Sequence, residues 1–260
     1  PASPERPSLA PWLIRTHRDK GPHTLVRNPY YFAVDEQGNQ LPYMDRVLLL
    51  VKNPSMTSIS VANGEASVQA ARFEDYGQLM TQKETRGYAL RFWHPAGTSK
   101  FIINPNMNLN VDPDRPDTAK KAKLLNEKRF RQALSLAIDR QAIINAEWYG
   151  VGTPSQVAPG PGSPYYHPRL SRSFTEYIPT KANALLDQLG LDSFDAEGFR
   201  TFADGTRMVF YLNVSTDSNQ AGVANLVLRY WADVGVRVIM RERSNQLYRT
   251  DLFARTADFI

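Results

Sequence analysis

The sequence predicts an α/β protein, and three observations carry that expectation. Apolar residues alternate over 208–214 and return over 236–240 and 257–260, with helical stretches between them. Strand, helix, strand, helix, strand is a βαβ pattern; its crossovers imply a largely parallel sheet. Upstream, Phe130, Ala133, Leu134, Ala137 and Ile138 hold the i, i+3, i+4, i+7, i+8 spacing of a helix packed on a core.

The elements follow in order. Residues 1–22 are proline-rich and irregular apart from the apolar patch Trp12-Leu13-Ile14. Residues 24–27 read as a short strand that Asn28-Pro29 ends. Two turns and four aromatics (Tyr30, Tyr31, Phe32, Tyr43) then lead into an apolar strand at 47–51. Residues 35–39, Asp-Glu-Gln-Gly-Asn, form a hairpin-type turn with Gly38 free to take positive φ. The alternating ligand spacing of an EF-hand loop is missing there, so the acids read as turn chemistry. A helix is expected over 56–63, closing on Asn63-Gly64, then a strand at 66–70 and a helix over 73–83. Residues 88–93 and 100–103 read as strands.

In the second half, Asn126 is placed to cap the striped helix, and Asp139 the next one, which runs through Trp148. Residues 150–178 form a long loop rich in Pro, Gly and Tyr, a length usually associated with function or mobility. A helix over 180–189 stops at Gly190. Val223, Leu226, Val227, Tyr230, Trp231 and Val234 line one face of the strongest helix, which Gly235 ends. Ser244 can cap the helix that carries Leu247, Leu252 and Phe253. No internal repeat is visible.

Composition narrows the function classes. A chain of 260 residues can hold one large domain or two modest ones around a real core. The net charge is +5 with scattered basic residues. The densest cluster, Lys120, Lys121, Lys123, Lys128, Arg129 and Arg131, reads as a solvated helix face rather than a nucleic-acid or membrane patch. Without cysteine there is no disulfide or thiolate chemistry, though compartment stays open. No apolar run approaches the roughly 18 residues of a membrane span, and the start lacks the apolar centre of a signal peptide. A beginning without Met and an end within an apolar strand are what a fragment would show.

Chemistry is sparse. His17, His23, His94 and His167 are far apart, and no His-Glu-x-x-His pattern occurs. Gly160-Pro-Gly-Ser-Pro164 has the wrong spacing for a nucleophile elbow, and no glycine-rich phosphate loop precedes a helix. The pairs Glu74-Asp75 and Asp192/Asp195 read as solvated surface, the first at a helix start that favours acids. No catalytic residue, metal site or cofactor is expected. A receptor instead needs apolar and aromatic walls with a few orienting hydrogen-bonding groups.

Seven stretches, in order, carry a resemblance. They are the run from Asn28-Pro29-Tyr30-Tyr31 to Leu41-Pro42-Tyr43-Met44-Asp45, Asn63-Gly64-Glu65, Phe73-Glu74-Asp75-Tyr76, and Asn126-Glu127-Lys128-Arg129-Phe130-Arg131 running on to Asp139-Arg140. Further along come Gly150-Val151-Gly152-Thr153-Pro154, Lys181-Ala182-Asn183-Ala184-Leu185-Leu186 and Tyr230-Trp231-Ala232-Asp233-Val234-Gly235-Val236. Together they resemble the bacterial extracellular solute-binding proteins of family 5, the peptide receptors of ABC transporters. The resemblance implies a periplasmic-binding-protein-like fold (type II, cluster C) of two lobes, joined by hinge strands and closing over a ligand. Residues 1–100 would be the C-terminal portion of the first lobe with hinge strands, and 101–260 the second lobe, incomplete at its C-terminus.

The implied function is the extracytoplasmic substrate-binding component of an ABC importer, holding oligopeptides in an interlobe cleft and delivering them to a permease. An oligosaccharide receptor of the same family, or a ligand-sensing receptor domain, stays open as an alternative. The implied partners are the ligand and ABC permease subunits, with no nucleic acid. Membrane contact would come only through the transporter or a lipid anchor outside this stretch, and the location would be periplasmic or extracellular. The implied ligand-binding residues are Gln69 and Arg72 after the strand near Gly64, Phe101 and Asn104 on the strand crossing between lobes, and Tyr165 and Tyr166 in the long loop. Each has a plainer reading: Gln69 as a solvated strand end, Arg72 as a surface cation, Phe101 as core. Asn104 could be turn chemistry before Pro105 and the tyrosines could cover the core.

Overall fold

A computed structural model describes residues 6–16, 21–71, 73–92, 100–218 and 220–260. They divide into two compact units, Pro1–Leu90 and Arg91–Ile260.

The first unit holds an antiparallel sheet of β1 (Trp12–Ile14), β2 (His23–Arg27) and β3 (Arg46–Leu49), in that order. Leu25 lies opposite both Ile14 and Val47. The apolar patch at Trp12 is therefore an edge strand, because β2 offers it a free ladder of backbone groups. Side-chain amides hold the turn-rich connection that follows β2. Buried Asn28 donates to the carbonyls of Ser8 and Ala10 (both 2.9 Å) and accepts from the Tyr30 N–H. Gln40 donates to the carbonyls of Pro29 and Tyr31, both at 2.8 Å. The amides thus satisfy backbone groups that no strand reaches, while Tyr30, Phe32 and Tyr43 stay largely exposed.

The hairpin turn forms as expected. Asp35 Oδ1 accepts from the backbone N–H of Gln37 (2.9 Å) and Asn39 (2.8 Å), Gly38 takes φ 85°, and Val34 bridges Gln40. The same device recurs in the second unit: Asp195 accepts from Glu197 and Phe199, Gly198 has φ 83°, and Phe194 bridges Arg200. This repeated Asp-x-x-Gly-x turn is too short to register as a sequence repeat.

Hydrogen bonds from the Asn39 amide and then the Tyr43 hydroxyl hold the Asp35 carboxyl down at about 2. A depressed acid stabilises the fold above its ordinary pKa, and that contribution disappears as pH falls through about 2. Carbon-13 NMR should find the Asp35 carboxyl titrating near pH 2, with Tyr43→Phe moving it upward. An ordinary carboxylate titration in the wild type would contradict this turn geometry.

Helix α1 (Pro54–Ala62) is followed by a bend at 66–70 where a strand was expected. A turn of 3-10 helix at Phe73–Asp75 leads into α2 (Tyr76–Arg86), closed by Gly87 at φ 71°. Asp75 is half-buried and accepts from the Ser58 hydroxyl, so this acid is tied inward rather than solvated. The expected strand at 88–93 is irregular over 88–92, with Trp93 outside the described residues. Strand propensity makes no strand without a partner edge. Among the described residues of this unit, Ala62 and Leu79 alone are buried and apolar.

The second unit contains the core. Parallel strands β4 (Val209–Ser215) and β5 (Arg237–Arg243) pair from Val209↔Arg237 to Ser215↔Arg243. On the other side of β4, Phe259 bridges Leu212 in parallel and Pro105 antiparallel. Helices α8 (Ala221–Asp233) and α9 (Asn245–Ala254) make the two crossovers. The expected βαβ pattern is therefore present. Residues 100–103, expected as a strand, form none: Lys100 and Phe101 are bends, and backbone pairing begins at Asn104.

One sheet face buries Phe210, Leu212, Val214, Val236 and Phe259 in the same cluster as Val223, Val227 and Trp231 of α8. The Trp231 indole N–H donates to the Leu134 carbonyl at 2.9 Å, so the largest core side chain leaves no orphan donor. Among the described residues of this unit, five helices precede β4: α3 (Asp117–Asn126), α4 (Lys128–Leu136), α5 (Arg140–Glu147), α6 (Pro168–Arg172) and α7 (Pro179–Asp187).

The cap expected of Asn126 moves by one residue. Glu127 is extended (ψ 119°) and its carboxylate accepts from the Arg129 N–H, while Asn126 ends α3 and donates to the carbonyls of Met107 and Ala122. Asp139 and Ser244 cap α5 and α9 as expected. Within the basic cluster, Lys121 departs from the solvated reading. It is 2% exposed, with Asp117 at 3.0 Å and Asp258 at 3.4 Å.

Candidate functional site

The segment 101–110 is where the second unit's chemistry concentrates. Its burial alternates: Phe101 and Ile103 pack against the core, while Ile102 and Asn104 face outward. A two-residue period of this kind is what strand positions show, although no strand forms here. Asn104 donates its N–H to the Ile260 carbonyl (2.7 Å) and accepts from the Ile260 N–H (3.1 Å). Asn106 adds its N–H to the Asp258 carbonyl and its side-chain amide to the carbonyls of Ala257 (2.8 Å) and Arg255 (3.2 Å). The backbone at Asn104 is thus fully used, and its side-chain amide is exposed. Ile102 is also exposed on that side of the segment.

Tyr165 and Tyr166 sit on a tight turn in the long loop. Ser163 donates its N–H to the Gly160 carbonyl, accepts from the Tyr166 N–H on its own carbonyl, and from the Tyr165 N–H on its hydroxyl. Tyr165 is 81% exposed and Tyr166 36%. The loop itself is anchored. Gln156 donates to the Ser135 hydroxyl (2.8 Å) and the Ser173 carbonyl (2.9 Å), and Ser135 donates to the Phe174 carbonyl (2.7 Å). Arg140 reaches both the carbonyl and hydroxyl of Ser135 at 2.8 Å; burial lowers its pKa, against an opposing pull from Glu176. Two tyrosines are therefore displayed on a loop whose base is fixed.

In the first unit, Gln69 is exposed and donates to the Ala70 carbonyl at 2.9 Å, while Arg72 lies outside the described residues. Among the described residues of the second unit, no hydrogen bond or ring contact joins Phe101, Asn104, Tyr165 and Tyr166 to one another. In the second unit Asn104, Tyr165 and Tyr166 are exposed, and Phe101 contributes packing.

The remaining chemistry is modest. No group of three or more His, Cys, Asp or Glu among the described residues could hold a metal ion. An open depression of about 360 Å³ is lined by Asn110, Val111, Asp112, Pro113, Arg115, Thr118 and Thr256. Its polar groups are engaged locally: Thr118 Oγ1 donates to the Arg115 carbonyl at 2.6 Å, and Asp112 Oδ1 accepts from the Asp114 N–H. They shape the entry to α3.

Residues 9–260 match the family described as bacterial extracellular solute-binding proteins, family 5 Middle. The chain belongs to that family. This family 5 chain is 27% identical to the periplasmic alpha-galactoside-binding protein of Rhizobium meliloti, over 97% of its own length and 39% of the relative's. A solved structure of the oligopeptide-binding protein OppA superimposes with TM-score 0.70 and 32% identity, covering 99% of this chain and 41% of the other. The periplasmic binding protein MelB of Agrobacterium fabrum, in complex with stachyose, superimposes with TM-score 0.68 and 22% identity, covering 100% and 40%. The fold is that of the two-lobed periplasmic binding proteins, and this family 5 chain spans about two fifths of the length of the relatives it matches. Family 5 proteins are extracellular, which places this protein outside the cytoplasm, in the periplasm or beyond it. No described helix is long and apolar enough to cross a membrane.

Proposed function

We propose that the full-length protein containing this chain is the extracytoplasmic substrate-binding component of an ABC importer, binding oligopeptides and delivering them to a permease. The 32% identity to an oligopeptide-binding protein over nearly the whole chain carries this reading. In it, Gln69, Arg72 and Asn104 pair with polar groups of the ligand, Tyr165 and Tyr166 cover its apolar parts, and Phe101 backs the segment from the core side. Residues 1–100 contribute the later part of the first lobe, and 101–260 most of the second. Burying a peptide's amides unpaired would forfeit on the order of 1–3 kcal/mol each, which is why exposed side-chain amides matter more than charge.

An oligosaccharide ligand is the second reading. The alpha-galactoside-binding relative favours it, and so does Tyr165, an exposed ring on an anchored loop, because sugars stack on aromatic faces. Thermal melting of the full-length protein with tetra-alanine and, separately, stachyose tests both. A ligand at a hundredfold excess over its Kd adds about 2.7 kcal/mol to stability, a rise of several degrees in Tm. A rise with tetra-alanine supports the first reading and a rise with stachyose alone the second. No rise with either overturns both.

A further inference from the structure

Lys121 on α3 buries its ammonium almost completely, at 2% exposure. Two carboxylates meet it: Asp117 one turn earlier at 3.0 Å and Asp258 at 3.4 Å, the latter also buried. Asp258 Oδ2 in turn accepts the Tyr211 N–H of β4 at 2.9 Å. That single carboxylate therefore ties α3 and β4 to the segment 257–260. The backbone on either side of it is the backbone that pairs with Asn104 and Asn106. An isolated buried ion pair is weak evidence for stability, because desolvation offsets the attraction; its best-attested use is fixing one arrangement among several.

We propose that Lys121 and Asp258 are positioning residues for ligand capture, holding the paired segments 104–106 and 257–260 in the geometry that presents Asn104. This rests on the reading of Asn104 as a ligand contact. The charged and titratable groups around Asp258 are Lys121 and Asp117 from α3 and Tyr211 from β4. Arg241 from β5 lies over the opposite element's Tyr211 ring at 3.3 Å. Burial raises the Asp258 pKa, against the opposing pull of Lys121 and the Tyr211 N–H.

Amide hydrogen exchange on the full-length protein reads positioning without any ligand. Lys121→Met is expected to speed exchange at Asn104, Asn106, Phe259 and Ile260 at least tenfold, leaving the β4–β5 amides unchanged. Asp258→Asn does the same more mildly, and Lys121→Arg restores protection. Unchanged protection at the four amides, or equal acceleration throughout the unit, overturns the positioning role. The ligand arm uses whichever of tetra-alanine and stachyose stabilises the wild type. Its affinity should fall about tenfold in Lys121→Met and less in Asp258→Asn. An affinity that both variants leave intact overturns the link to capture. A wild type that responds to neither probe overturns the binding reading itself, and the exchange pattern tells the two failures apart.

Discussion

Arg200→Met is expected to remove roughly 3–5 kcal/mol of stability from the second unit, the range for stripping one partner from a buried charged network. Arg200 is 2% exposed. Its guanidinium donates to the Val234 carbonyl (2.8 Å), Asn183 Oδ1 (2.8 Å), Asp187 Oδ1 (2.6 Å) and the Leu191 carbonyl, and its own N–H to the Gly235 carbonyl (2.7 Å). The fork thereby fastens α7, the turn after it and the α8–β5 corner at one point. Asp187 is half exposed and would rehydrate. The carbonyls of Leu191 and Val234 belong to buried residues and would lose their partner, at about 1–3 kcal/mol each. Arg200→Lys should recover only part of the loss, since an ammonium cannot reproduce a planar fork of five donors. Urea denaturation measures both variants. A Met variant as stable as the wild type would show that the network contributes nothing.

The second expected result concerns the units separately. Residues 91–260 expressed alone should unfold cooperatively, whereas residues 1–90 alone should show neither a thermal transition nor dispersed amide resonances. The second unit owns the contiguous core from Leu109 to Phe259. The described part of the first buries only Ala62 and Leu79 as apolar side chains and exposes Leu48, Leu49, Leu50 and Val51 on and beside its edge strand. Ordering a residue's backbone opposes folding by roughly 1–2 kcal/mol, and one buried leucine returns about 1.5–3 kcal/mol. Two buried side chains cannot offset the ordering of such a length of chain. A cooperative melt of residues 1–90 would refute this.

Legibility in the sequence followed the range of the interaction. The α8 stripe, the strands on either side of it and the caps at Asp139 and Ser244 were visible because each depends on neighbours within a few residues. The turn at Asp35 was visible for the same reason. The strand at Trp12 was missed and those at 66–70 and 88–92 were overcalled, since a strand exists only when a partner edge is beside it. Cap placement at Asn126 failed by one residue because Met107, nineteen positions away, claims that amide. At the candidate site, the residue types were readable and the faces were not. Phe101 could be core or ligand wall and Asn104 turn or ligand contact, and only the core behind the segment fixes the ring inward and the amide outward.

The linear order of residues determined the α/β class, the family motifs and therefore the kind of protein this is, because periodicity and motif spacing are properties of the chain itself. Only the tertiary structure decided that Lys121 and Arg200 lie inside, the first within a basic cluster that reads in the sequence as a solvated helix face. Burial of a charge depends on carboxylates and carbonyls brought from distant positions, as Asp258 is brought to Lys121 from 137 residues away. Such pairings exist only once the chain has folded around them.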